Sequence, residues 1–272
     1  MSAPWGPALA ANRDLWDDWA RRNDEHVARH TRALLSGRST LRDYELEELG
    51  DVTGKSLLHL QCHLGTDTIG WSRLGARATG VDYSLESITI ARRIAAEVGT
   101  DTRFLYTDVY HLPERTNQRF AIVYASRGVL SWLPDLDAWA KVVAQLLAPG
   151  GVFYLTDVHP VFTALREESA EPRIGHPYFA RPEPVTVPAR LTAPESADGP
   201  AAPLQHLWPH SMGEVITALC QAGLTLSFYH EFPWVDRGRP FLRKRDEGTW
   251  TLKDGELPLY FSLKAVLAPG AR

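Results

Sequence analysis

Sulfur is scarce in this 272-residue chain: two cysteines, Cys62 and Cys220, and two methionines. Two cysteines build neither a disulfide framework nor a cysteine-based metal site, and no metal is expected. The same scarcity fits a reducing compartment, so a cytoplasmic location is expected. No apolar run approaches the ~18 residues of a membrane helix, and residues 1–11 lack a signal-peptide layout. The formal net charge of −4, without a basic block, gives no footing for nucleic acid or an anionic membrane. Glycine-rich phosphate loops are missing too, since no Gly-x-Gly-x-x-Gly occurs. What the chain does have is tryptophan, nine in all, which fills cores and lines pockets.

The length allows one large domain with an elaboration. Residues 1–12 read as a loose tail. Arg13 to Ser36 has helical spacing (Leu15, Trp16, Trp19, Ala20, Val27, Leu34), and Leu41–Leu49 a second short helix. Residues 1–50 are therefore expected to form a helical lid. Strands and helices then alternate. Strands are expected at Leu57–Gln61, Arg77–Val81, Thr102–Tyr106, Phe120–Ala125 and Val152–Thr156. Helices are expected at Thr66–Leu74, Leu85–Val98 and Asp135–Leu147. Such alternation builds a parallel α/β sheet with right-handed crossovers. From His159 to Leu207 prolines break the pattern, which suggests an insertion after the fifth strand, with a strand at Val185–Leu191 and a loop over 193–203. A helix at Ser211–Ala222 follows, then strands at Leu224–Phe232 and Leu257–Val266. No helix separates these last two, so they are expected to be antiparallel neighbours, the last inserted into the sheet.

The chemistry concentrates at strand ends. Leu57 to Asp67 reads as strand, tight turn and helix start, the floor of a nucleotide pocket in open α/β sheets. Gly65 lets a ligand approach the backbone, and the helix from Thr66 turns its free N–H groups toward the pocket. Asp82, ending the second strand, is placed to accept both hydroxyls of a ribose. Asp108 follows the third strand and is placed to accept from an adenine amino group. Ser126, Arg127 and Gly128 follow the fourth. Convergence of four successive strand ends is more specific than any one residue.

Four segments carry a resemblance: Leu58–Asp67, Gly80-Val81-Asp82-Tyr83-Ser84, Thr107-Asp108-Val109-Tyr110 and Leu147-Ala148-Pro149-Gly150-Gly151. Together they resemble class I S-adenosylmethionine-dependent methyltransferases. His59-Leu60-Gln61-Cys62-His63 and Ser131-Trp132-Leu133-Pro134-Asp135-Leu136 are similar to a bacterial subgroup acting on small molecules. The resemblance implies a Rossmann-like, seven-stranded, mostly parallel sheet with the last strand antiparallel and helices on both faces. It implies a methyltransferase domain at 51–272 with a cap insertion at 159–207. The cofactor would be S-adenosylmethionine and the product S-adenosylhomocysteine. Gln61, His63 and Gly65 would wrap the methionine part, Thr66 would also bind the cofactor, and Asp82 would bind the ribose, with Tyr83 against the adenine. Asp108 and Val109 would hold the adenine, Ser126 would lie beside the sulfonium, and Trp132 and Trp19 would wall the site. The first loop departs from the family, since Gln61, Cys62 and His63 stand where acid-x-Gly is usual. The side chains of Gln61 and His63 would then replace contacts that glycine amides make.

A general base assists transfer to OH, NH or acidic CH groups. His159, after the fifth strand, is the first candidate. His210, Tyr178 and Glu231 follow. The N-terminal helix, the 159–207 insertion and the 233–256 connection are all aromatic and are expected to close over the pocket. That favours a small, partly apolar acceptor, such as an indole or cyclic dipeptide of secondary metabolism. The chain would act as a monomer or homodimer. Two alternatives remain: an NAD-dependent oxidoreductase, and a non-catalytic cofactor-binding protein.

Overall fold

The computed structural model describes residues 5–189, 203–245, 248–253, 255 and 257–268. Three helices come first: α1 (Gly6–Arg22), α2 (Asp24–Leu35) and α3 (Asp43–Leu49). The alternating unit follows as β1 (Ser56–Leu60), α4 (Thr66–Arg73), β2 (Arg77–Asp82), α5 (Leu85–Val98), β3 (Arg103–Tyr106), α6 (Leu112–Arg115), β4 (Phe120–Ser126), α7 (Leu136–Leu146) and β5 (Leu147–Val158). A short helix α8 (Pro160–Thr163) leads to a two-stranded sheet, β6 (Val185–Pro188) and β7 (Leu204–Leu207). The chain closes with α9 (Met212–Gln221), β8 (Leu224–Phe232), β9 (Trp234–Val235), β10 (Arg243–Lys244), β11 (Trp250–Thr251) and β12 (Tyr260–Leu267).

The main sheet runs β3-β2-β1-β4-β5-β12-β8. β1 to β5 pair in parallel, and β12 is antiparallel to both β5 and β8. This is the expected seven-stranded, Rossmann-like sheet. Leu58, Leu60, Val123 and Phe153 point to one face, against α7 and α9 residues such as Trp139, Val143 and Val215. Leu57, Ile122, Tyr124 and Tyr154 point to the other, with Leu49 of α3 and Trp71 of α4. α5 covers the same side through Ile88, Ile94 and Ala91, packed with Val27 and Leu34 of α2. Helices thus lie on both faces.

Local chemistry sets the helix starts. Ser84 Oγ accepts from Ser87 N–H at the start of α5, and Asp135 Oδ1 from Ala138 N–H at the start of α7. Ser211 and Glu214 form a reciprocal capping box at α9. The single helix expected over 13–36 is two, and it begins earlier. Pro7 sits in the first turn of α1, where its missing N–H costs nothing. The break comes at Asn23, whose Nδ2 donates to the Trp19 carbonyl at 2.7 Å and diverts that acceptor from the helix. β5 starts earlier than expected, running back through Pro149-Gly150-Gly151 with a register irregularity against β4. The expected 193–203 loop lies outside the described residues except for Pro203, as does the end of the strand expected at Val185–Leu191, of which β6 is the described part.

The three-stranded sheet β10-β11-β9 accounts for much of the 233–256 connection. It packs round its own apolar cluster, with Phe162, Val235 and Leu259. β7 holds α1: Asn12 Nδ2 donates to His206 O at 2.7 Å, and His206 N–H donates back to Asn12 Oδ1 at 2.9 Å. At the other end of α1, Asp17 accepts from Ser84 Oγ at 2.6 Å. No helix among the described residues is long and apolar enough to cross a membrane.

Candidate active site

A cavity of about 340 Å³ lies at the carboxyl ends of β1, β2, β3 and β4. Of the residues expected to bind a cofactor, Gln61, His63, Thr66, Asp82, Tyr83, Asp108, Val109, Ser126 and Trp132 line it. α1 and α2 contribute Leu9, Trp16, His26 and His30. The N-terminal helices therefore form part of its wall.

Gly65 and Trp19 stand behind that wall. A Cβ on Gly65 would meet the Phe104 ring at 2.4 Å and Ala91 at 3.0 Å. The glycine is required by packing and by its left-handed φ of 68°, rather than by ligand approach. Gly65→Ala is expected to cost about 2 kcal/mol or more, through overpacking and backbone strain together. Thermal or urea unfolding measures it; an unchanged midpoint would contradict the packing argument. Trp19 packs on Trp16 and on the His63 ring, with centroids 6.0 and 4.7 Å away.

Among the described residues three non-glycine residues adopt positive φ, and all three line the cavity: Gln61 (53°), His63 (49°) and Arg127 (64°). Outliers of this kind persist where surrounding contacts over-determine them. Asp82 is one such contact. Its Oδ2 accepts from His63 N–H at 2.8 Å, and its Oδ1 from Ser84 N–H at 2.9 Å. Burial pushes the Asp82 carboxyl up to about 6 despite these bonds. Gln61 Nε2 donates to Val129 O at 3.2 Å. Asp108 Oδ1 accepts from Tyr110 N–H at 2.7 Å.

A charged network lies beneath. Arg127 pairs with Glu45 at 3.1 Å and with Asp67 at 3.4 Å, and donates to Thr40 O. Glu45 also accepts from the Tyr124 hydroxyl and from Arg42 N–H. Asp67 accepts from Thr40 Oγ1 and, at 3.3 Å, from Ser126 Oγ. Ser126 Oγ is also 3.3 Å from His59 Nε2, and His59 Nδ1 lies 2.8 Å from Thr68 Oγ1. Burial raises Glu45. It acts the same way on Asp67, but Arg127 leads the contacts that hold that carboxyl below its ordinary value. Sequence reasoning placed Ser126 at this edge and missed Glu45, whose acid and capping roles look alike in a helix start.

Asp157 clamps the turn after β4. It accepts from the N–H groups of Gly128, Leu130 and Val158. Burial raises it to about 6. Among the described residues no cluster of three His, Cys, Asp or Glu is arranged to hold a metal.

The four expected acid–base residues all lie off the cavity wall. His159 Nδ1 accepts from Val161 N–H at 3.1 Å, capping α8, and its Nε2 lies 3.0 Å from Tyr229 Oη and 3.1 Å from Glu231. A histidine before proline was placed to shape a turn, and its ring does so here. His210 Nε2 donates to Leu133 O at 2.7 Å. Tyr178 Oη accepts from Met212 N–H at 3.4 Å. Among the described residues, none of 159–207 or of 233–256 lies on the wall; those described pack on their own small sheets or on α1. Sequence reasoning missed His26 and His30. Their spacing of four, on one helical face, was the available signal.

Three buried polar atoms on the wall have no hydrogen-bond partner among the described residues: Gln61 Oε1, His63 Nε2 and Tyr83 Oη. Such groups are costly unless a ligand satisfies them. The set fits an adenosyl amino acid, with the Gln61 carbonyl available to an ammonium and Asp82 retaining lone pairs for hydroxyls.

Comparisons with known proteins agree. Residues 58–153 match the methyltransferase domain family. Ubiquinone biosynthesis O-methyltransferase of Photorhabdus laumondii is 32% identical over 115 residues, which are 42% of this chain and 48% of that one. The chain spans about half the length of the curated relatives it matches. Two crystal structures share the fold. The S-adenosylmethionine-dependent methyltransferase of Mesorhizobium loti aligns with a TM-score of 0.57 at 20% identity, covering 82% of this chain and 96% of that one. A similar protein from Listeria monocytogenes aligns at 0.59 and 18%, over the same shares. The sheet order is that of a Rossmann-like methyltransferase fold, and the match to a methyltransferase domain covers its central part, residues 58–153.

Proposed function

We propose that this protein transfers a methyl group from S-adenosylmethionine to a small, partly apolar acceptor. The observation that carries it is the convergence of four strand ends on one cavity with three unpartnered buried polar atoms. Asp82 binds the ribose hydroxyls, Tyr83 and Val109 flank the adenine, and Asp108 takes its amino group. Gln61 and His63 hold the methionine end, and Ser126 and Trp132 bound the reacting region. The cofactor supplies a methyl already activated by positive sulfur. The protein's task is alignment and exclusion of water. The relatives named as O-methyltransferases support an oxygen acceptor over an indole carbon or a cyclic dipeptide. Trp16 and Trp132, with ring centroids 5.2 Å apart on the wall, suit a planar apolar compound.

Calorimetric titration tests the reading. S-adenosylhomocysteine is expected to bind and NAD not; binding of NAD alone would make the protein an oxidoreductase, and binding of neither a scaffold. The affinity should also depend on pH. Asp82 accepts ribose hydroxyls best as a carboxylate, and its pKa of about 6 lies above the ordinary value of 3.8. Affinity is therefore full above pH 7 and falls, by up to tenfold per unit, as pH drops below 6. A flat profile from pH 7.5 to 5 would remove Asp82 from the ribose site.

A further inference from the structure

We infer that His30, on α2, is the base that receives the acceptor's proton, and that the acceptor is a phenol-type hydroxyl compound. This rests on the methyltransferase reading and adds a residue and a substrate class to it.

The histidines on the cavity wall are His26, His30, His59 and His63. His59 has both ring nitrogens engaged, by Thr68 and Ser126. His26 Nδ1 takes the Arg29 guanidinium at 2.9 Å. The His63 ring lies against Trp16 and Trp19, at centroid distances of 5.0 and 4.7 Å, and its backbone anchors Asp82. Burial also drives His63 down to about 3, too weak a base for the task. His30 hydrogen-bonds to nothing among the described residues. Its one ring contact is His26, with centroids 4.4 Å apart.

Position agrees. The charges that act on His30 are Arg29, Asp67 and Arg127, with burial first in keeping the ring neutral. Asp67 touches Ser126, the strand-end residue beside the reacting region. Asp108 lies at the other end and acts on Tyr83. The cavity thus runs from an adenine end at Asp108 to a reacting end faced by His30.

The base selects the acceptor. A neutral imidazole is a modest base. A phenol, ionising near 10 as tyrosine does, gives its proton to such a base more readily during transfer than an ordinary alcohol does. The tryptophan pair suits the ring of such a compound. The acceptor oxygen forms its bond to the methyl carbon as the carbon–sulfur bond breaks. That electron pair stays on sulfur, neutralising it, and the phenolic proton passes to His30.

The probe is 4-nitrocatechol, whose ionisation is visible by absorbance. It is added to the protein saturated with S-adenosylhomocysteine, at a pH where the free compound is largely protonated. Wild type is expected to develop the phenolate band on binding. His30→Gln should bind S-adenosylhomocysteine within about twofold of wild type and lose the band. Transfer of labelled methyl to 4-nitrocatechol should fall at least ~100-fold, the usual worth of a general base. His30→Ala should lose transfer likewise and regain part of it with added imidazole. A phenolate band or near-normal transfer in His30→Gln overturns the inference, as does failure of 4-nitrocatechol to bind the wild-type complex. Failure of S-adenosylhomocysteine to bind wild type sinks the methyltransferase reading itself.

Discussion

Asp82→Ala is expected to weaken S-adenosylhomocysteine binding by about 3 kcal/mol, or roughly 150-fold at 1.4 kcal/mol per decade. Two losses combine. The ribose hydroxyls lose a charged acceptor, and the N–H groups of His63 and Ser84 are released. The second loss matters because His63 sits at a φ of 49°, a conformation held by that bond. Asp82→Asn keeps an acceptor oxygen and should fall between wild type and alanine. Calorimetry on variants with an unchanged circular dichroism spectrum decides it. Alanine binding within threefold of wild type would show that the ribose lies elsewhere.

The second large effect is on stability. Arg127→Ala leaves the carboxylates of Glu45 and Asp67 facing each other without their shared cation. Removing one member of a buried ion pair costs 3–5 kcal/mol. The Arg127 side chain is 31% exposed, which lowers the expectation to about 3 kcal/mol. At 2–4 °C per kcal/mol for a chain of this size, the melting temperature should drop by roughly 8 °C. Adding Asp67→Asn should restore part of the loss, since it removes one of the two stranded charges. A drop of less than 2 °C in Arg127→Ala would show that the network contributes little.

The parallel sheet was legible because each element carried its own signal. Leu57–Leu60 is a buried apolar run, Ser84 and Asp135 cap the helices they precede, and Gly99 ends α5 in a left-handed turn. The inserted last strand followed from the absence of a helix between β8 and β12. The strand-end residues were legible for the same reason, since topology alone brings Gln61, Asp82, Asp108 and Ser126 to one edge. What failed needed three dimensions. Asn23 breaks a helix through a side-chain bond that periodicity does not register. His159 stands at the right edge of the sheet, but its ring turns to Tyr229. His26 and His30 reach the cavity because α1 and α2 fold back over it, an arrangement that the α1 anchors at Asp17 and Asn12 help hold. No local pattern encodes that return.

The place of β12 between β5 and β8 bears on how the chain matures. β8 leaves the ribosome before β12 but has no sheet neighbour until β12 slots in beside it. One flank of the sheet therefore stays open until β12 has been made, with Phe228 and Tyr229 lacking their final partners. Assembly of that flank waits on β12, made after β8, a long-range pairing of the kind that slows folding and invites chaperone attention.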